Sequence, residues 1–408
     1  MSRQGFRFAP PEVRLSAPVG WVLERAFAAE PPPSVPPAGA AALAAARRLS
    51  LSPRIAARLP PPRLAAELGA EAAAGFAEDR LAATAAEMAL AQACRDVAAA
   101  AEGLGIPVAF LKFAALHLAG VLAPGSRQAR DLDLLTPAGR GVELYRALVE
   151  RGYRTCRPGD HRHHLPALAH PLSTLVEVHH HLPELAAAGG GPDATFERLA
   201  AAGGLEPAAG LGAASYLPRR EVLAAHALAH GIAHHGWRPR SYPPMRMLAD
   251  LTDLGLAGPD GEELLAAVRW WVGGSVSAEE ARAAREACVR LVAGDPGGLV
   301  SGAGDAARLM RHILAGTLDD GYHRSLKIAA LREALPRRAR LSGALHLLRR
   351  ALFLSRDQID AIYGPPASPW GYLGRRLWRP FDLLARTLRA AASWWRLRRR
   401  KRNPRSGT

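Results

Sequence analysis

Apolar and polar positions divide the chain into stretches of different period. Over residues 40–103 apolar side chains recur at helical spacing, with Leu81, Met88 and Leu90 among them and Ala filling much of what lies between. This predicts an N-terminal helical layer, ended by Gly103 and Gly105, whose task is packing. Ahead of it, Pro31-Pro32-Pro33 and Pro36-Pro37 break any helix and leave one short helix over 21–28 and a linker.

Past Gly105 the period shortens. Residues 108–111 form an apolar run that reads as a strand, and 114–122 read as a helix ended by Pro124-Gly125. A second strand is expected over 131–135. An amphipathic helix follows over 138–151, with Val142, Leu144, Tyr145 and Leu148 on its core side and Gly152 as its cap. Further strands are expected over 153–157 and 174–179, separated by a turn holding His161, His163 and His164. In the last strand Val176 and Val178 share one face, while Leu175, Glu177 and His179 share the other.

This order predicts an α+β fold, a small mixed sheet flanked by helical regions on both sides in sequence. After glycines at 189–191 and 203–204 the chain turns helical again, over 219–235, 245–256, 262–272, 279–293 and 305–354. The expected organisation is a helical region with a Pro-rich linker (1–103), an α+β core (104–188), a C-terminal helical region (189–364) and a basic aromatic tail (365–408).

Composition adds little to this picture until the charge is located. The 408 residues suffice for two or three compact units, and a hydrophobic fraction of 49% is ordinary. The net charge of +16 invites a nucleic-acid reading. From Trp370 to the end there are twelve Lys or Arg and one acid, which takes eleven of those charges and leaves +5 on the rest. Any attraction to a polyanion therefore belongs to the tail. Cys94, Cys156 and Cys288 are too few and too scattered for a disulfide framework or a cysteine zinc site, and a reducing cytoplasm fits. No stretch reaches about 18 apolar residues without charge. A soluble, cytoplasmic protein is expected, touching a membrane at most through its C-terminus.

The candidate chemistry centres on Asp131 and Asp133. In an extended strand residues i and i+2 project to one side, so both carboxylates share a face and Leu132 and Leu134 take the other. Two acids converging at a strand end suit a divalent cation; hard oxygen ligands select Mg²⁺ or Mn²⁺, which in turn holds nucleotide phosphates. Taken alone, an Asp-x-Asp at a strand end also fits a solvated edge.

Several pieces in order carry a resemblance: Leu111-Lys112, then Arg127 followed by Asp131-Leu132-Asp133-Leu134-Leu135, then Gly152-Tyr153 and Val176-Glu177-Val178-His179. The order resembles the uncharacterised nucleotidyltransferases, a family related to the DNA polymerase beta-like nucleotidyltransferase fold. His226, His230 and His234 followed by Arg246 and Asp250 resemble its downstream part.

The resemblance implies that Asp131 and Asp133 ligate one or two Mg²⁺ (or Mn²⁺), with Glu177 as the third carboxylate. Lys112, Gly125, Ser126 and Arg127 would hold the phosphates of an NTP, and an NMP would pass to a hydroxyl of a small molecule or a protein. In members a glycine usually follows the lysine. Here Phe113 stands there, and Gly125-Ser126 would have to supply the close backbone approach to phosphate.

Other readings stay open: a catalytically silent member acting as a binding or accessory module, or a glycosyltransferase using Asp-x-Asp to hold a nucleotide sugar. His226, His230 and His234 recur at i+4 and share a stripe, which admits a zinc site or packing near the cleft, with one imidazole oriented by Asp250. His179, His230 and Asp250 are the candidate substrate contacts. The tail mixes Trp378, Phe381, Trp394 and Trp395 with arginines and ends in a basic run over 398–402. It fits an anchor on anionic lipid, a docking helix or a nucleic-acid tail alike.

Overall fold

The computed structural model describes residues 12–32, 35–128, 131–157, 164–172, 174–182, 185, 195–234, 244–318, 368, 370–378 and 381. Five helices come first: α1 (Ala17–Phe27), α2 (Gly39–Leu49), α3 (Ser52–Arg58), α4 (Pro61–Leu68) and the long α5 (Ala70–Leu104). Then follow β1 (Val108–Phe110), α6 (Lys112–Leu118), β2 (Asp131–Leu135), α7 (Gly141–Glu150), β3 (Arg154–Arg157), β4 (Ala167–Ala169) and β5 (Leu175–His179). The chain continues through α8 (Phe196–Ala201), β6 (Leu205–Pro207), β7 (Ser215–Pro218) and α9 (Arg220–Ala229), which runs into a π-turn (His230–His234). The last labelled elements are α10 (Met245–Asp253), α11 (Gly261–Val272), α12 (Ala278–Val292), α13 (Pro296–Ser301) and α14 (Asp305–Leu318).

Among the described residues the strands form one mixed sheet in the order β3-β4-β5-β2-β1-β7-β6, with helices on both sides of it. The α+β expectation therefore holds. Its centre is the parallel pair β2–β5, flanked by β1, which runs antiparallel to β2 and parallel to β7. Leu132, Leu134, Val176 and Val178 fill one side of β2 and β5 and are buried. At about 1.5–3 kcal/mol for each such side chain removed from water, this apolar side fixes the strands' rotation. The opposite side, carrying the acids, is thereby turned to the cleft.

The sheet departs from expectation in extent. Strands β6 and β7 extend it past residue 188, and β4 adds an inner strand between β3 and β5. Each is three or four residues long, two of them ending in proline, too short for a period to be read.

Helix α5 is as continuous as the Ala-rich pattern suggests and ends in Gly105, whose φ of +59° closes the helix left-handed. Its inner row is Ala83, Glu87, Leu90, Cys94 and Val97, whereas Leu81 and Met88 are exposed. The packing role expected of all three therefore falls to Leu90 alone, because Leu81 and Met88 lie out of phase with the buried stripe. Val142 likewise points outward from α7, while Leu144 and Leu148 are buried.

The helix expected over 219–235 is α9 followed by the π-turn. Gly231 there lies so close to α10 that a Cβ would stand 2.2 Å from Met247 Sδ. The regular i+4 spacing expected from His226 onward therefore gives way at His230 to a wider turn of the backbone.

Beyond Leu318, the expected helix over 305–354 lies outside the described residues, as do His161, His163, the glycines at 189–191 and the basic run at 398–402. Residues 370–378 are described within a helix, with Trp370, Leu373, Leu377 and Trp378 exposed. No helix among the described residues is long and apolar enough to cross a membrane.

Candidate functional site

Register brings the acids together. Across the parallel pair, Asp133 stands opposite Glu177 and Leu135 opposite His179, so Asp131, Asp133, Glu177 and His179 all project to the cleft side. Strand β1 ends beside them: the Leu111 amide donates to the carbonyl of Asp133 at 3.0 Å, and Lys112 follows at the start of α6. The sequence expectation that Glu177 and His179 share a face with each other is thus met.

Asp133 is the most enclosed of these groups, 1% exposed. Its Oδ1 accepts from Lys112 Nζ at 2.8 Å and lies 3.0 Å from His179 Nε2, which is itself 3.8 Å from Glu177 Oε2. Burial works against the Asp133 carboxylate, but the Lys112 charge and the His179 hydrogen bond outweigh it and hold the group well below the usual carboxylate range. Lys112 shows the reciprocal effect. Burial disfavours its ammonium, yet the charge and hydrogen bond of Asp133, with Asp131 and Glu177 behind, raise its pKa above the ordinary lysine value.

Asp131 lies one step nearer solvent and behaves oppositely. Burial and then the negative charge of Asp133 push its carboxyl upward, with Lys112 only partly offsetting them.

A cavity of about 300 Å³ opens beside this cluster. Lys112, Asp131, Arg127 and Gln128 border it from the sheet side, and His226, His230, Arg246 and Asp250 from α9, the π-turn and α10. Phe113, Leu116, Leu223 and Met247 supply apolar wall. A cleft of this size, apolar with a few converging charges, is the kind of space that takes a small organic ligand.

Arg127 is fixed on two sides. Its guanidinium lies 5.2 Å over the ring centre of Phe113, and Nη1 approaches Asp250 Oδ1 at 2.7 Å. The approach is close but badly angled, so Arg127 Nε and Nη1 and Asp250 Oδ1 are buried without a hydrogen bond. Burial lowers the Arg127 pKa against the pull of Asp250, and burial raises that of Asp250 against the pull of Arg127. Asp250 thus faces the expected phosphate-binding arginine. Phe113, read from sequence as an obstacle to phosphate, is the platform on which Arg127 lies.

Gly125 and Ser126 do not border the cavity. The Gly125 amide donates to Glu87 Oε2 at 2.7 Å, and a Cβ at 125 would stand 2.3 Å from Thr84 Oγ1. The close approach that this glycine permits is therefore to helix α5, and its N–H is already engaged there.

Glu87 is the residue that sequence reasoning missed. Its second oxygen meets His117 Nδ1 at 2.8 Å, so one buried carboxylate ties α5 to both α6 and the turn before Arg127. The N-terminal layer does more than pack. The signal is in the spacing: an acid on the same helical stripe as Ala83 and Leu90, and buried with them. Arg246, four residues before Asp250 on α10, also borders the cavity, a position that the spacing of the downstream pattern does not reveal.

Asp133, Glu177 and His179 each present one atom within 4.8 Å of the others, and Asp131, two residues before Asp133 on β2, projects to the same side of the sheet. Clustered carboxylates that repel one another are stabilised by a cation, so the residues fit the group.

Residues 39–268 match the protein family described as Uncharacterised nucleotidyltransferase. No curated protein and no solved structure matches the chain.

Proposed function

The chain belongs to the uncharacterised nucleotidyltransferase family, and on that premise we propose that its cleft transfers an NMP unit from an NTP to a hydroxyl of a small molecule or a protein. The observation that carries this reading is the register of β2 against β5. It sets Asp133 beside Glu177, with Asp131 on the same side and Lys112, Arg127 and Arg246 at hand.

In this reading Asp133 and Glu177, with Asp131 beside them, hold Mg²⁺ or Mn²⁺; a bound divalent cation neutralises triphosphate charge and stabilises the entering and leaving oxygens. The other parts belong to the chain. Arg127, braced on Phe113, and Arg246 present cationic groups to the phosphates from the cavity wall. The acceptor oxygen bonds to the α-phosphorus while the bond to the departing pyrophosphate breaks. Asp131, the one of the three acids that borders the cavity, takes the hydroxyl proton. Leu116, Leu223 and Met247 give that space an apolar wall against which the nucleotide's uncharged parts would rest.

A continuous assay of pyrophosphate release with each NTP tests this, comparing the parent with Asp131→Asn and Asp133→Asn. Release by the parent alone supports it. Equal release by all three overturns it.

A second reading has its own observation. Lys112 and His179 already satisfy Asp133 Oδ1, as they would in a member that keeps the scaffold as a binding module and turns nothing over. That reading expects no metal-dependent nucleotide binding by calorimetry and a stable partner on affinity capture.

A further inference from the structure

His179 was a candidate substrate contact, but it does not border the cavity; its imidazole is buried among the acids, 4% exposed. Its Nε2 stands 3.0 Å from Asp133 Oδ1 and 3.8 Å from Glu177 Oε2. An octahedral ion with bonds of about 2.1 Å places neighbouring ligands about 3.0 Å apart, so His179 Nε2, which hydrogen-bonds Asp133 Oδ1 at that distance, would give up this hydrogen bond and its proton to ligate the ion without having to move away from Asp133. The position is built, since the His179 carbonyl accepts from both Thr136 N and Thr136 Oγ1, which continue the ladder with β2. On the far side His179 bridges to His164, whose ring lies 5.1 Å away.

We infer that His179 is a direct ligand of the cation, together with Asp133 and Glu177, and that the site takes manganese(II) in preference to magnesium. The inference rests on the nucleotidyltransferase reading only in assuming that a divalent cation is bound. Two carboxylates and one imidazole form a mixed oxygen and nitrogen set. Mg²⁺ keeps to oxygen ligands and sheds water reluctantly, whereas imidazole nitrogen is a ligand of the transition ions. Mn²⁺ accepts carboxylates as Mg²⁺ does and tolerates nitrogen as well.

The set also separates Asp131 from the others. It is not among the three mutually close donors, and it borders the cavity instead. Sequence reasoning placed three oxygens on the ion; the structure sets an imidazole closer to Asp133 and Glu177. Lys112 Nζ shares Oδ1 of Asp133 with His179, so with a cation held by these groups the ammonium would be free to turn to phosphate.

The test is Mn²⁺ titration of the full chain without nucleotide, followed by electron paramagnetic resonance, with Mg²⁺ as competitor. The parent is expected to bind Mn²⁺ at least ~10-fold tighter than Mg²⁺ and to show nitrogen modulation of the electron spin echo from a coordinated imidazole. His179→Gln removes that modulation and lowers Mn²⁺ affinity by roughly 10–100-fold, the scale on which metal sites answer to lost support. His179→Asp, with oxygen in place of nitrogen, erases the preference over Mg²⁺.

Absence of Mn²⁺ binding by the parent, binding without nitrogen modulation, or modulation that persists in His179→Gln overturns the inference. The parent spectrum decides even if a variant fails to fold. Nucleotidyl transfer measured separately with Mg²⁺ keeps the two ideas apart. Transfer without nitrogen coupling ends the histidine ligand alone, and nitrogen-coupled Mn²⁺ without transfer ends the enzymatic reading alone.

Discussion

Glu87 Oε2 accepts a hydrogen bond from the Gly125 amide at 2.7 Å, fastening the turn that precedes Arg127 to the middle of helix α5. The other Glu87 oxygen holds His117 in α6, whose ring lies parallel to Phe113 at 6.2 Å. The glutamate thereby positions both the arginine and the ring beneath it. Glu87→Ala strands a buried N–H and is expected to cost about 1–3 kcal/mol. It should also weaken nucleotide binding, measured with a fluorescent NTP analogue, by more than the fall in Tm accounts for. Glu87→Gln, which keeps an acceptor for Gly125, is expected to recover most of the binding. If both variants bind as the parent does, the positioning role is wrong.

Lys112 enters α6 with φ of +48°, a left-handed conformation that costs a residue with a Cβ about 1–2 kcal/mol. Two consequences of substitution can be separated. Lys112→Ala and Lys112→Gly both leave Asp133 without its ammonium, and both should fall in stability. The glycine variant relieves the backbone and is expected to unfold at higher denaturant than the alanine variant, by about 1 kcal/mol, although glycine's unfolded-state entropy works against it. Equal midpoints would mean that the backbone at 112 is not strained.

Arg127→Lys keeps the charge but loses the planar group that lies on Phe113 and faces Asp250. Lysine presents a compact, strongly hydrated ammonium that makes no bidentate contact. Nucleotide affinity by calorimetry is expected to drop ~10-fold or more, about 1.4 kcal/mol, within the range of a charge-assisted hydrogen bond. An unchanged affinity would remove Arg127 from the phosphate site.

Away from the cleft, Glu67 joins three donors: Arg25 Nε at 3.0 Å, Trp21 Nε1 at 3.1 Å and Arg63 Nε at 3.0 Å. Burial opposes its carboxylate, but the hydrogen bonds from Arg63 and Arg25 prevail and hold its pKa below the ordinary glutamate value. A carboxyl depressed in this way adds stability that is fully present above its unfolded pKa, roughly 4.3, and is lost as pH falls through the folded value. Glu67→Gln should therefore melt lower than the parent at pH 7. The gap should close as pH drops below about 4, which a Tm series against pH will show. A gap that widened in acid would reverse the sign argued here.

What was legible in the sequence follows from length and period. Strand β2 could be read because Asp-Leu-Asp-Leu-Leu alternates charge and bulk, and β5 because Val176 and Val178 alternate with Glu177. The register between them could not, yet it is what sets Asp133 beside Glu177 rather than Leu175. Strands β4, β6 and β7 owe their pairing to neighbours in the sheet and hardly at all to their own three or four residues. The π-turn was hidden because its residues still recur at i+4, and only the packing of Gly231 on Met247 marks the change of register. Leu81 and Met88 misled because an Ala-rich helix offers two similar faces. Glu87 was overlooked for the converse reason, being a charged residue on the inner face.

The most direct measurement follows α-phosphate-labelled NTPs through incubation with the full chain, a cell extract as acceptor source, and Mn²⁺ or Mg²⁺. The parent is expected to leave label on an acceptor, with Asp131→Asn and Asp133→Asn reduced by roughly 100-fold or more, on the scale of lost acid–base or charge-stabilising groups. Label carried equally by the parent and both variants, or by none of them, would contradict the account.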